Sequence, residues 1–585
     1  MTSLKLFNAV LASEGAAPTA AHRAAEIAAH YRAENLSGAQ LNRTFHQSWE
    51  TIQRSPRSEL LRHQMLHYLT TYGFAELGIE TDFVYFPPEV SELPAVRRAP
   101  VRVIHGLTAD ELAARCRGLL NSGVALAGET LHDLMDLLEE IDRVPTDGGG
   151  VRNREFAILL ADRHAVYPAA PAEFLRYLVY RATGSTLLIK NPETFAAIRE
   201  SGLDIAPLVE AYGPARCARV FRRFKPLWLA FKRAAAPNVR TVNYLAKLAA
   251  THHRPLPPDY LNGVTADDAF RPEELNAALE GASAFRKIRL LYALHTRIAQ
   301  GPFRMYRIRN GTSYTVPRPA DVHRLDAWRR AYELVLASLV GGLAVRGQTF
   351  RFSPGVEYAL PATEKMYVGN FPVGTSVSVA GGLTVGIYWE NDWGASDLDL
   401  SATALTKVGW DADYHHGGVT YSGDITDAHS GAAELLRFGR EVDQPHLVQV
   451  SVYQGKVNAG FKLFAGQSAA VKENFLLRPD ELRAEIRMQT SRHRQIIGLL
   501  VPGRAGAGHR FVFCNVGAGS ARVAGVDQAP RLALYDQFRS APRLRDLLTA
   551  AGATVTTDAT APADHDLRWE ALTRDSILRL LSSPP

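Results

Sequence analysis

The sequence predicts an α+β multidomain protein: a mostly α-helical N-terminal region, then an antiparallel β-sandwich, then a small α/β C-terminal tail. Three observations carry this. Up to about residue 350, apolar residues recur at i, i+3 and i+4, the helix period. From about Arg351, apolar and polar residues alternate and Gly and Thr rise, the texture of strands joined by tight turns. At the end, LYDQFRSAPRLRDLLTAAGATVTTD and WEALTRDSILRLLSS return to helix–strand–helix. A chain of 585 residues, at roughly 150 residues per domain, has room for three to four cores. The expected divisions are 1–150, helical; 151–350, helical with a basic surface; 351–530, the sandwich; and 531–585, the tail.

In the N-terminal region AAHRAAEIAAHYRAENL, ELLRHQMLHYLTTYGFAEL, ADELAARCRGLLNSG and GETLHDLMDLLEEIDRV are amphipathic at helical spacing. FPPEVSELP, PTDGGG and YPAAPAE break them apart. No period of about 20–50 residues repeats clearly, so an irregular multi-helix region is expected rather than a solenoid. Hydrophobic residues make up 46% and charged residues 22%, the balance of a globular protein. Cys116, Cys217 and Cys514 stand far apart, so they form neither a disulfide framework nor a Cys-x-x-Cys knuckle. That points to a reducing compartment. The start, MTSLKLFNAVLASEGAA, has one lysine and an apolar run broken by Asn8, a poor signal peptide. No run approaches the roughly 18 apolar residues of a membrane span. The expected setting is the cytoplasm, with no membrane partner.

Arg216 to Arg309 is strongly basic, with eighteen Lys and Arg against six Asp and Glu, in a chain of net charge +6. Aromatics interleave with the bases in RVFRRFKPLWLAFKR and FRMYRIRNGTSY. Arginine beside exposed rings suits phosphates and stacked bases. Arg222, Arg223, Lys225, Arg304, Arg307 and Arg309 are the candidate nucleic-acid contacts. A solvated basic face fits the same pattern, because Phe221, Phe224, Trp228 and Phe231 are spaced 3, 4 and 3 apart, as in a buried stripe.

TSVSVAGGLTVGIYWE, HLVQVSVYQ, AGFKLFAG, RQIIGLLVPG and HRFVFCNVG read as strands. GTSYTVPRP and EKMYVGNFPVGTS read as connecting loops. Within this β region Glu390 to Asp443 holds eleven acids against three bases. In DLDLS, alternation puts Asp397, Asp399 and Ser401 on one side of a strand. Two carboxylates on one side repel unless a positive charge lies between them. SGDITD carries a glycine for a tight turn before Asp424 and Asp427. GAAE ends in Glu434, a carboxylate that could close a site. Calcium takes roughly 6–8 oxygen ligands, and this stretch offers oxygen. Mg²⁺ or Mn²⁺ is the second choice of ion.

DLDLSA followed by YSGDITDA…GAAE resembles the TerD-like proteins of bacterial tellurium-resistance and stress-response systems, which pair a DLDASA-like strand with an HTGDN-like segment. The resemblance covers about residues 375–470. It implies a β-sandwich whose edge loops bind calcium, with Asp397, Asp399, Asp424, Asp427 and Glu434 as ligands. Leu400 stands where the family has Ala, and the acidic run after the second motif is shortened to DITDAHSGAAE. The function this implies is a stress-response protein with a calcium-binding sandwich and a helical region that binds a partner, such as another stress-response protein. The alternative is a nucleic-acid-binding or processing factor in which Asp397 and Asp399 hold Mg²⁺ or Mn²⁺.

Other motifs are weaker. His63 and His67 lie one helical turn apart, but Gln64 replaces the glutamate a zincin needs as base. His252–His253 and His415–His416 are adjacent pairs, which face opposite sides of a strand. His415 or His416 could still join the acidic loops around zinc or manganese. Gly184-Ser185-Thr186 and GRAGAGHR lack a P-loop ending and read as turns. No catalytic residue is assigned.

Overall fold

The computed structural model describes residues 6–7, 9–11, 22–23, 103–147, 150–254, 259–265, 271–299, 301–307, 313–317, 323–429, 431–468, 482–503, 508–517, 528–538 and 541–582. The protein is α+β, with helices in its N-terminal part and antiparallel sheets in its C-terminal part. Two compact units are built mainly from Gly106–Gly263 and from Val264–Ile577. Compactness therefore divides the chain near residue 263. The helices Pro272–Glu280, Ala284–Ile298 and Leu325–Gly341 belong with the sheets.

The first unit contains α1 (Ala109–Asn121), α2 (Gly128–Glu140), α3 (Arg154–His164), α4 (Pro171–Thr183), α5 (Pro192–Glu200), α6 (Ala206–Tyr212), α7 (Pro214–Ala218), α8 (Lys225–Lys232) and α9 (Asn238–His252). Their starts follow local chemistry. Thr108 and Glu111 close a capping box on α1. Asn153 caps α3, and Asn191 caps α5 ahead of Pro192. Gly184, at φ 68°, ends α4 in the left-handed region. Phe221, Phe224, Trp228 and Phe231 are all buried, so the stripe their spacing predicts is core. Asn238 is fully buried and fully used: its side chain accepts from Ile205 N and donates to the carbonyls of Leu203 and Phe231. It fastens α8 and α9 to the turn before α6.

From Val264 onward the β structure of the second unit begins with a hairpin, Phe303–Arg307 against Ser313–Pro317. The segment expected to be a connecting loop is its second strand. The main sheets use β1 (Val356–Glu357), β2 (Ser376–Ser378), β3 (Gly382–Trp389), β4 (Ala395–Thr403), β5 (Lys407–Gly409), β6 (His415–His416), β7 (Val419–Tyr421), β8 (Ala432–Phe438), β9 (His446–Gly455), β10 (Gly460–Ser468), β11 (Leu482–Gln489), β12 (Arg494–Val501) and β13 (Arg510–Gly517). One sheet runs β5-β4-β9-β12-β13-β2-β1, the other β6-β7-β8-β3-β10-β11, with antiparallel neighbours throughout. All of β3 is buried, as befits a strand paired on both edges with both faces covered. Gly386 is on β3 because the ring of Phe464 occupies the place a Cβ would take, 2.2 Å away.

The tail is not built from its own residues alone. Its strands Thr554–Thr556 and His565–Leu567 flank Thr349–Phe352, both in parallel register. Among the described residues no helix is long and apolar enough to cross a membrane.

Candidate metal centre

The centre is built where β4 meets the loop after β7. From Asp397 to Ala402 every residue of β4 is buried, acids and leucines alike. One edge of β4 pairs with β9, while β5 covers the other edge only at Ser401–Thr403. The register with β9 shifts on either side of Asp397. Such a bulge re-aims the side chain it carries. The loop leaves β7 under control of Ser422, whose amide donates to Leu435 O and whose Oγ accepts from Leu435 N. Gly423 then takes φ 125°, a left-handed conformation that favours glycine, and Asp424 follows.

This brings three acids together. Asp397, Asp399 and Asp424 each offer a carboxylate oxygen, and these oxygens lie within 4.8 Å of one another. Asp397 and Asp399 are each only 3% exposed, whereas Asp424 is on the surface. Asp397 Oδ1 and Asp399 Oδ2 are buried without a hydrogen-bond partner. A buried charge left unpaired is strongly unfavourable. Burial first, then the charges of Asp397 and Asp424, push Asp399 up to about 7, although Lys407 pulls the other way. Burial and then Asp424 push Asp397 up to about 6. Burial also raises Asp424. A cation among the three would reverse that repulsion.

The other two expected ligands have different places. Glu434 on β8 is fully buried. Its Oε2 accepts from Leu400 N at 2.7 Å and its Oε1 from Ile425 N at 3.1 Å. Burial drives its carboxyl well above the usual range, against the pull of Tyr421 and the two amides. Glu434 is thus a strut joining β8, β4 and the loop that carries Asp424. Asp427 is exposed and outside the cluster; its Oδ1 accepts from Asn391 Nδ2 at 2.8 Å and from His429 N at 3.2 Å. Asn391 Oδ1 in turn accepts from Ala428 N at 3.0 Å. The sequence reading missed Asn391, although it stands in the same acidic stretch.

No family model, curated protein or solved structure matches this chain. The TerD-like likeness therefore rests on the motif residues.

The clasp around Asn391 gives a prediction. Asn391→Ala and Asp427→Ala should each lower stability by about 1 kcal/mol. The double variant should lose more than either single one, since each residue also accepts from a backbone amide of its own, but less than their sum, because the two share one contact. Urea unfolding of the four proteins measures this coupling.

The remaining candidates are not drawn into the centre. His415 Nδ1 lies 2.9 Å from Thr420 Oγ1, and His416 Nδ1 lies 3.8 Å from Asp413. Both are exposed on β6. His252 and His253 stand at the end of α9. His63 and His67 lie outside the described residues. Arg222, Arg223 and Lys225 are exposed in the first unit. Arg304 and Arg307 are on the hairpin strand of the second unit, and Arg309 lies outside the described residues.

Proposed function

We propose that the second unit binds a divalent cation, calcium first, through Asp397, Asp399 and Asp424, and that the protein serves a TerD-like, tellurite-resistance-type stress response. The observation that carries the reading is the pair of buried, unpartnered oxygens on Asp397 and Asp399 beside a third carboxylate. The stress-response role and a partner for the helical region come from the motif resemblance. An all-oxygen set suits hard cations. Three carboxylates supply up to six of the roughly 6–8 oxygens calcium takes, and water or backbone carbonyls complete the set. Magnesium, smaller and bound to its waters, makes less of carboxylates held on a rigid strand. Binding cancels the repulsion among the three acids and fixes the Asp424 loop on β4, so loop order depends on the ion.

The test is unfolding of chelator-stripped protein with and without calcium, with magnesium as control. Calcium at about 100 times its dissociation constant should add roughly 2.7 kcal/mol. An equal or larger rise with magnesium would reassign the ion. No rise with any divalent ion would reduce the cluster to an acidic rim.

A further inference from the structure

The first unit carries a charge pattern that the cation centre does not use. Between Arg216 and Arg254 stand ten bases and no acid: Arg216, Arg219, Arg222, Arg223, Lys225, Lys232, Arg233, Arg240, Lys247 and Arg254. Among the described residues none of the ten forms an ion pair.

Two helices arrange these bases in the same way. On α9 the buried residues are Asn238, Val242, Leu245 and Ala249. Arg240, Tyr244 and Lys247 follow one another at i, i+4 and i+7, on the face opposite that buried stripe. Tyr244 is 53% exposed, the most exposed large apolar side chain described in this unit. On α8 the buried residues are Leu227, Trp228, Ala230 and Phe231. Lys225, Leu229 and Lys232 repeat the i, i+4, i+7 spacing on the other face, with Leu229 41% exposed. Each helix thus shows solvent an apolar side chain between two cations, and α9 also exposes Val239, beside Arg240. Backbone contacts extend the pattern. Arg254 N donates to Arg219 O at 3.0 Å, which seats the end of α9 beside the turn before α8. Lys190 Nζ donates to Arg223 O at 2.9 Å, so Lys190 and Arg223 both lie over the ring of Phe224, at 5.5 and 5.1 Å.

We propose that this face binds a single-stranded nucleic acid, with phosphates on the basic stripes and a base stacked on Tyr244. Repeated unpaired cations recognise a polyanion with regularly spaced charges. An exposed ring flanked by cations offers a stacking platform with phosphate contacts on both sides. A membrane surface fits less well: helices that lie in a bilayer interface present a broad apolar face, whereas the apolar faces of α8 and α9 are buried in the core. This proposal does not depend on the cation centre.

The test uses the full chain and fluorescence anisotropy with labelled oligo(U) and oligo(dT), beside vesicles of phosphatidylglycerol and phosphatidylcholine. Both oligonucleotides should bind. With four or more phosphate contacts, affinity should fall about 50-fold or more between about 50 and 200 mM KCl. Preference for oligo(U) over oligo(dT), or the reverse, tells RNA from DNA as the natural ligand. Tyr244→Ala should weaken binding about tenfold, while Tyr244→Phe should retain it. Arg240→Glu/Lys247→Glu should weaken it at least as much. Arg329→Glu/Arg330→Glu, exposed on a helix of the second unit, changes net charge equally and should leave it intact. All these positions are on the surface, and far-UV circular dichroism checks that each variant is folded. Binding that is insensitive to Tyr244→Ala and to Arg240→Glu/Lys247→Glu would overturn the proposal. So would binding to vesicles alone.

Discussion

Asp397→Asn/Asp399→Asn is expected to be more stable than the wild type when both are metal-free at pH 8, and to gain nothing from calcium. Removing two buried polar contacts would ordinarily destabilise a protein, so the expected sign is informative. In the metal-free fold these carboxylates are buried, lack partners on one oxygen each and repel one another. Asp399 is raised from 3.8 to about 7. One pKa unit is about 1.4 kcal/mol, so ionised Asp399 alone costs the metal-free fold on the order of 4 kcal/mol. The share of Asp397 overlaps, since each counts the other's charge. The amides remove the repulsion yet still need partners, which leaves a gain of about 2–4 kcal/mol. The sign with pH follows from the raised folded-state pKa. The penalty is absent only well below pH 3.8, where both states are protonated. It grows as pH rises towards 7, where Asp399 ionises in the fold. The metal-free wild type should therefore lose stability from this centre across that window, and the variant should not. Urea unfolding in chelator at pH 5 and pH 8 measures both. A variant less stable than the wild type at pH 8 would mean that the carboxylates stabilise the metal-free fold.

Glu434 is expected to behave in the opposite way. Both of its oxygens accept backbone amides, from Leu400 and from Ile425. Glu434→Ala would leave the buried N–H of Leu400 and the partly buried N–H of Ile425 without acceptors, at about 1–3 kcal/mol each, for a total loss of about 2–6 kcal/mol. Glu434→Gln keeps one acceptor oxygen and should lose about half as much. Because the side chain holds β4 and the Asp424 loop together, the glutamine variant should still bind calcium, more weakly but with the same stoichiometry. Complete loss of calcium binding in a folded Glu434→Gln protein would make Glu434 a ligand and not a strut.

Much of this fold could be read from periodicity. HLVQVSVYQ alternates and RQIIGLLVPG is a short apolar run ended by Pro-Gly; they are strands β9 and β12. Phe221, Phe224, Trp228 and Phe231 keep helical spacing and are core. DLDLS put Asp397 and Asp399 side by side, and the glycine before Asp424 marked the turn that completes the cluster. What could not be read depended on partners distant in sequence. Thr349–Phe352 pairs in parallel with two strands more than 200 residues later, and no local pattern encodes such a partner. The hairpin at 303–317 was legible: Asn310-Gly311 between alternating segments is a strong hairpin signal. Glu434 and Asp427 look alike as acids near a turn. Only burial and backbone contacts separate a strut between sheets from a loop clasp on Asn391.

Calorimetric titration of calcium into the chelator-stripped protein, run on the wild type, Asp399→Asn and Glu434→Gln, decides whether the three acids hold a cation. Saturable binding of calcium in the wild type, its loss in Asp399→Asn and its survival in Glu434→Gln are the expected results. Wild-type protein that takes up no calcium, or an Asp399→Asn protein that binds it as the wild type does, would contradict a cation centre at Asp397, Asp399 and Asp424.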